Sequence, residues 1–520
     1  MNIPFILDKA LSLYAHKEAV VCGQARFTYK QLAERVYRLA NFLRSRGVGQ
    51  GDCVAILHQN SHEFLETYFA TAQLGAILNP LNFRLSPGEL AFILQDSGAG
   101  LLISSERFAE SVESLAEMKL DLNQVVWTGP GVETSASFDS VHYEDALIGE
   151  KAVAPPLPSI SDDDVVHLYY TSGTTGRPKG VMLSHKNVCG HALAAVAELK
   201  LGDYDNWIHV APLFHLADAW ATFAITWVGG KHVVVPDFDP PLILSAMQEE
   251  RVTITNMIPT MLNMLVNTPR VETHDFSSLR AILSGGAPIA PEVVRKIMQT
   301  FKCDYIQTYG MTETSPYLTV SILKENLAHL SDKEQFVYKA KTGRPFMGVL
   351  LKVVRENGTE VTPNDEEVGE IVVKGDIVTR GYWNRPEETE KALRDGWLHT
   401  GDMAVLDREG YVNIVDRKKD MIITGGENVY SVEVENILYT FPSVLEAAVI
   451  GVPDPKWGEA VKAVVVLKPG ETATEEEIIQ HCKQHIARYK APKSIDFLSE
   501  LPKTGSGKIF KKGLKEKYGS

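Results

Sequence analysis

Short apolar runs alternate with amphipathic helical stretches, and this rhythm constrains the chain more than any other feature. Thr28 with Gln31 forms a capping box, Leu32, Val36, Leu39 and Leu43 follow at helical spacing, and Gly47 closes the helix. Cys53-Val54-Ala55-Ile56-Leu57 is continuously apolar, as a strand buried on both faces would be. An apolar-striped helix over 62–76, a strand beginning at Ile77-Leu78, a helix over 88–96 and a strand over 100–104 continue the alternation. The fold class this predicts is α/β, with parallel-type sheets and helical crossovers. Residues 130–160 lack periodicity, contain Pro155-Pro156 and read as a connection.

That connection delivers the chain to its most distinctive stretch, Tyr169-Tyr170-Thr171-Ser172-Gly173-Thr174-Thr175-Gly176-Arg177-Pro178-Lys179-Gly180. Val165, Val166 and Leu168 end a strand before it, and Val181 to His185 resume an ordered element after it. Hydroxyls, freed backbone amides and a lysine together form a concave donor surface for an oligophosphate. A Walker loop needs Gly-Lys-Ser/Thr, whereas this chain has Pro178-Lys179-Gly180, so it is not a P-loop NTPase.

TSGTTGRPKG resembles the phosphate loop of the adenylate-forming enzymes: acyl-CoA synthetases, luciferases and the adenylation domains of peptide synthetases. The resemblance runs over nearly the whole chain through separate motifs in the family's order. It implies an AMP-forming acyl-CoA synthetase using ATP, Mg²⁺ and CoA. It also implies that Thr171, Ser172, Gly173, Thr174, Thr175, Gly176 and Lys179 hold the phosphates. Farther on, Ser284-Gly285-Gly286-Ala287-Pro288 follows an apolar run, and Gln307-Thr308-Tyr309-Gly310-Met311-Thr312-Glu313 follows in turn. By resemblance Gly286 and Ala287 border the nucleotide with Gln307, Thr308 and Gly310. Tyr309 packs the adenine. Thr312 donates to a phosphate, and Glu313 supplies the hard oxygen that Mg²⁺ prefers.

His215, in Ala211-Pro212-Leu213-Phe214-His215, matches the family histidine beside the acyl carboxylate. Amino-acid-activating relatives carry Asp there, so an α-amino acid substrate is disfavoured. Gly285, Gly310 and Tyr317 complete the expected acyl pocket. Asp402, in Thr400-Gly401-Asp402, is the expected ribose carboxylate, and Arg417 the arginine at ribose and phosphate. Lys419, in Asp416-Arg417-Lys418-Lys419-Asp420, matches the residue about which the small domain swings. Gly425 and Gly426 let a thin pantetheine arm of CoA pass the backbone. Many plant aryl-CoA ligases carry lysine where this chain has Ile423, so no phosphate contact is carried over to that position. Leu501-Pro502-Lys503-Thr504-Gly505-Ser506-Gly507-Lys508-Ile509 presents Lys508, which matches the family's catalytic lysine; Thr171 and Glu313 are the other expected catalytic groups.

Charge and length agree with two units. The chain has 520 residues, 44% of them hydrophobic, and a net charge of −14, which argues against nucleic-acid binding. Residues 417–520 carry 16 Lys+Arg against 14 Asp+Glu, leaving 36 against 52 in the rest. The expected division is therefore a large ATP- and acyl-binding domain over 1–416 and a small lid domain over 417–520. Five scattered cysteines without CxxC spacing fit the reducing cytoplasm and no zinc site. No apolar run approaches a membrane span, while peripheral membrane contact stays open, as does the choice between monomer and homodimer.

The acid is the least legible part. Trp220, Phe223 and Trp227 follow His215, and Met257, Met261 and Met264 crowd a second stretch. Bulk near a tunnel floor and adaptable methionines favour a medium-length, cyclic or aromatic acid over a long chain. Four other readings share the motifs. One is a long-chain fatty acyl-CoA ligase. Another loads a carrier protein, although no carrier segment follows Lys508. A luciferase-like oxygenase would need oxygen, and a nucleotide sensor would release no pyrophosphate.

Overall fold

The computed structural model describes residues 1–118, 120–129, 138–171, 177–286, 289, 291–418, 420–504 and 509–519. Among these, four sheets organise the chain as α/β. The predicted helix runs Tyr29–Ser45. Thr28 Oγ1 accepts from the Gln31 amide at 3.3 Å, and Gln31 Oε1 accepts from the Thr28 amide at 2.8 Å. Leu32, Val36, Leu39 and Leu43 are all buried, and Gly47 turns the chain at φ 93°.

A seven-stranded sheet places Cys53–Leu57 between Ile77–Pro80 and Leu101–Ser105, all parallel. The helices between them are His62–Gln73 and Pro87–Ser97; the first stops before residue 76 because Gly75 turns at φ 66°. The sheet continues through Val165–Thr171, which forms an antiparallel hairpin with Lys179–Ser184 and pairs Thr171 with Lys179. The 130–160 stretch is more than a connection. Asp139–His142 adds an edge strand, and Tyr143–Leu147 is a short helix whose Tyr143 hydroxyl donates to buried Glu66 at 2.7 Å. Elements this short show too little periodicity to be read from sequence.

A nine-stranded sheet carries Ala281–Ser284 beside Asp304–Gly310, again parallel. A third sheet holds Gly369–Gly375, Trp397–Leu406 and Val412–Arg417 in antiparallel register. The fourth belongs to the C-terminal unit, where Val444–Asp454 and Gly458–Leu467 pair and the helices Ser431–Leu438, Glu475–His485 and Lys511–Tyr518 complete a small α/β body. All five cysteines are free thiols. No helix among the described residues is long and apolar enough to cross a membrane.

Candidate active site

Three strand ends and one long loop bring the chemistry together. The hairpin of Val165–Thr171 and Lys179–Ser184 supplies Thr171 and Lys179. Ser172, Gly173, Thr174, Thr175 and Gly176 lie outside the described residues, as do Ala287, Lys419 and Lys508. The Lys179 ammonium pairs with Glu388 and sits 5.2 Å from the centre of the Tyr382 ring. Tyr382 is held against the hairpin by backbone: it bridges Val181, and the Trp383 amide donates to the Gly180 carbonyl at 2.7 Å.

The Tyr382 hydroxyl donates to Glu313 Oε1 at 2.8 Å, and the Thr379 amide donates to the Glu313 carbonyl at 2.8 Å. Glu313 sits on the single turn Thr312–Thr314 after the strand Asp304–Gly310 and is buried. Burial raises its carboxyl above the ordinary value, although the Tyr382 hydroxyl and the Lys179 charge favour the anion. A buried carboxylate short of positive charge is a fit for a divalent cation. Among the described residues no three His, Cys, Asp or Glu could hold a metal by themselves.

Asp402 is the second buried carboxylate. Its Oδ2 accepts from the Tyr309 hydroxyl at 2.7 Å, and its Oδ1 lies 3.3 Å from Arg417 Nε. The Thr-Gly-Asp segment is a strand bulge inside Trp397–Leu406: Gly401 takes φ 73°, Glu370 pairs with Met403 and Val372 with His399, so Thr400–Asp402 face Ile371 alone, and Asp402 pairs with Arg417 across the sheet. Tyr309 is therefore fixed by the carboxylate expected to take the ribose.

The glycines and neighbours on these strands are set by close packing. At Gly285 a Cβ would meet Thr308 Oγ1 at 2.4 Å, and at Gly310 it would fall 1.8 Å from the Pro316 carbonyl oxygen. Thr308 Oγ1 donates to the Ser284 carbonyl at 3.1 Å, and the Gln307 amide to Ser321 Oγ at 2.7 Å. Gly286 turns at φ 87°. Gly425 and Gly426 form a two-residue hairpin turn at φ 60° and 85°, with the Trp457 ring 2.8 Å from where a Cβ on Gly425 would sit.

His215 precedes the helix Leu216–Val228, its ring 4.9 Å from that of Phe214. Trp220, one turn on, donates to the Tyr317 hydroxyl at 3.1 Å. Trp220, Tyr317, Phe346 and His191 form an aromatic box; burial keeps His191 neutral, its pKa down to about 3, and its Nε2 accepts from the Tyr317 amide. The expected aromatic floor does not exist as a unit. Phe223 packs into the core against Tyr68 and Phe69, and Trp227 meets Phe5. The methionines also disperse: Met257 is core, Met261 is partly buried, and Met264 is 53% exposed. Positions 220, 223 and 227 share one helix side, but they are spread over two turns, ~10 Å along the axis, so each ring meets a different neighbour and nearness in sequence did not make a shared wall.

Sequence reasoning passed over Tyr382, Glu388 and Thr379. The only local sign was an aromatic following glycine in Arg380-Gly381-Tyr382-Trp383-Asn384. Tyr382→Phe is expected to slow acyl-adenylate formation about tenfold, the scale of a hydrogen bond to a charged group. The rate of thioester formation from supplied acyl-adenylate should be unchanged, and timing the two half-reactions separately checks this.

Comparison with known proteins shows the family. The family model described as AMP-binding enzyme matches residues 7–383, and the AMP-binding enzyme C-terminal domain matches 433–508. A feruloyl-CoA synthase of an Amycolatopsis species is 42% identical over 505 residues, covering 97% of this chain and 96% of the relative. A long-chain-fatty-acid–CoA ligase of Thermus thermophilus is 38% identical over 529 residues, covering 100% and 96%. Among solved structures, the anthranilate CoA ligase AuaEII in complex with anthranoyl-AMP superposes with a TM-score of 0.90 at 28% identity, covering 100% of this chain and 97% of that one.

Proposed function

The chain belongs to the AMP-binding enzyme family, and from that premise we propose that it activates an aromatic or cyclic carboxylic acid with the residues gathered around Glu313 and Asp402. It is an AMP-forming acid–CoA ligase: ATP and the acid give an acyl-adenylate and pyrophosphate, and CoA then gives the thioester and AMP. The observation carrying the residue assignment is a pair of contact networks. Glu388, Lys179, Tyr382 and Glu313 form one, and Tyr309, Asp402 and Arg417 the other.

A carboxylate is a poor acyl donor, because its charge repels a thiolate and its oxygen leaves badly. Attack by the acid's carboxylate oxygen on the α-phosphorus breaks the bond to the bridging oxygen, and pyrophosphate leaves with that electron pair. Charge that builds on the phosphate oxygens is met by fixed donors. Lys179 exchanges its Glu388 partner for phosphate. Thr171 and the 172–176 loop donate to the same group, and Lys508 approaches from the small unit. Asp402 takes the ribose hydroxyls, and Tyr309 packs the adenine. Mg²⁺, held by Glu313 when bound, neutralises phosphate charge.

We assign the division to 1–416 and 417–520, with Lys419 as the pivot. The small unit then turns so that the Gly425-Gly426 hairpin faces the adenylate. The CoA thiolate adds to the acyl carbonyl, and AMP leaves. The same reading places the enzyme in the cytoplasm.

Support for the acid class is the Trp220–Tyr317–His191–Phe346 box, together with relatives named for ferulate and anthranilate. The four rings fill their own space against one another, and a long flexible chain would need a continuous channel. The test is kcat/KM by pyrophosphate release for ferulate, benzoate and cyclohexanecarboxylate against C6, C10 and C16 acids. At least one cyclic acid should exceed C16 by tenfold or more. A discrimination of about 1–3 kcal/mol per methylene means close analogues are accepted too. Preference for C16 would overturn the assignment.

A further inference from the structure

The small unit is tied to the nucleotide-bearing sheet by one buried carboxylate that the reaction scheme does not use. Asp416 is 3% exposed and ends the strand Val412–Arg417. That strand pairs with the one carrying Asp402, Met403 lying opposite Asp416 and Asp402 opposite Arg417. Asp416 Oδ1 accepts from the Arg417 amide at 2.7 Å. Its Oδ2 reaches past residue 419 and accepts from the amide of Ser431 at 2.6 Å. Ser431 is the first residue of the helix Ser431–Leu438, so the anion lies at that helix's positive end.

The contact continues to the C-terminal helix. Lys511 Nζ donates to Ser431 Oγ at 2.6 Å and lies 2.7 Å from Glu435 Oε1. Lys511 opens the helix Lys511–Tyr518, whose Leu514 is buried against the small sheet. Just before it, Lys503 bridges Ile509, and the Phe510 amide donates to the Pro502 carbonyl at 2.7 Å. These pairs bring Pro502 and Lys503 against Ile509 and Phe510.

We propose that Asp416 is a positioning residue: through Ser431 and Lys511 it latches the small unit to the sheet that carries Asp402. This rests on the reading of Lys419 as the pivot. Asp416 precedes the pivot and moves with the large unit, while Ser431 and Lys511 follow it and move with the small one. A rotation at 419 therefore breaks the Asp416–Ser431 hydrogen bond. Burial raises the Asp416 carboxyl above its ordinary range, and Lys511 and the two amides offset that cost. Release returns the carboxylate to water, so the bond restrains the unit without locking it.

The test times each half-reaction for Asp416→Asn and Lys511→Met, alongside trypsin cleavage at Arg417–Lys419. Acyl-adenylate formation is followed by pyrophosphate release, and the second step by thioester formed from supplied acyl-adenylate and CoA. A latch biases one conformer over another, so either variant should change the ratio of the two rates at least ~5-fold and speed cleavage, since the bond holds about one charged hydrogen bond's worth of bias. The double variant should shift the ratio no further than the larger single one. Rates that fall together, or an unchanged ratio, overturn the latch. Lys419→Pro separates the two ideas. If it depresses only the CoA step while Asp416→Asn leaves the ratio alone, the pivot stands and the latch fails. If Lys419→Pro leaves the CoA step at the wild-type rate, the pivot fails. Should Asp416→Asn not fold, the Lys511→Met ratio decides alone.

Discussion

Lys508→Ala should slow acyl-adenylate formation by at least ~10²-fold, the scale for removing one donor that stabilises transition-state charge. Thioester formation from a supplied acyl-adenylate and CoA should keep most of its rate. The asymmetry follows from the chemistry. The first step builds negative charge between the α-phosphate and the departing pyrophosphate, where an ammonium is worth most. The second step expels AMP after pyrophosphate has gone, and the scheme has Lys508 withdrawn by then. Pyrophosphate release measures the first step, and stopped thioester assays with synthetic acyl-adenylate measure the second. A parallel loss in both steps would falsify the two-position account of the small unit. The expectation rests on the resemblance of Leu501–Ile509 to the family loop, since Lys508 lies outside the described residues.

Glu313→Gln should lower adenylation by about 10²-fold and at the same time stabilise the ligand-free protein at neutral pH. The first effect comes from removing the anion assigned to the phosphate-bound cation. The second has a definite sign. Burial raises the Glu313 carboxyl above its ordinary value of 4.5, so the folded protein holds this proton more tightly than the unfolded chain does. The stability this carboxyl contributes is fully present below the unfolded value and is lost as pH rises through the higher folded one. Ionised Glu313 is therefore a cost to the empty site at pH 8. Glutamine keeps an oxygen to accept from the Tyr382 hydroxyl and removes the buried charge. The melting midpoint of Glu313→Gln relative to wild type should rise more at pH 8 than at pH 5. A variant less stable than wild type at pH 8 would mean that Lys179 and Tyr382 already compensate the anion in full.

The sequence by itself determined the helix and strand rhythm of the first hundred residues, because periodic burial and capping are local properties. Thr28 and Gln31 need only each other, and Leu32 to Leu43 need only one apolar face. It also determined the reaction class, because the phosphate loop, Tyr309 to Glu313, Asp402 and the Lys508 loop are contiguous motifs that recur in the family's order. Side-chain partners were beyond it. Lys179 meets Glu388 and the Tyr382 ring only because the backbone at Tyr382 and Trp383 docks onto the strand after the phosphate loop. Asp416 meets Ser431 only because Val412–Arg417 pairs with Trp397–Leu406 and aims that carboxylate at the start of the helix Ser431–Leu438. The aromatic residues after His215 were in plain view, yet at successive levels of one helix side Trp220 meets Tyr317, Phe223 meets Tyr68 and Trp227 meets Phe5. Local periodicity is written in neighbours along the chain. Which distant charges share a buried site is set by sheet register and loop docking, and only the tertiary structure decided it.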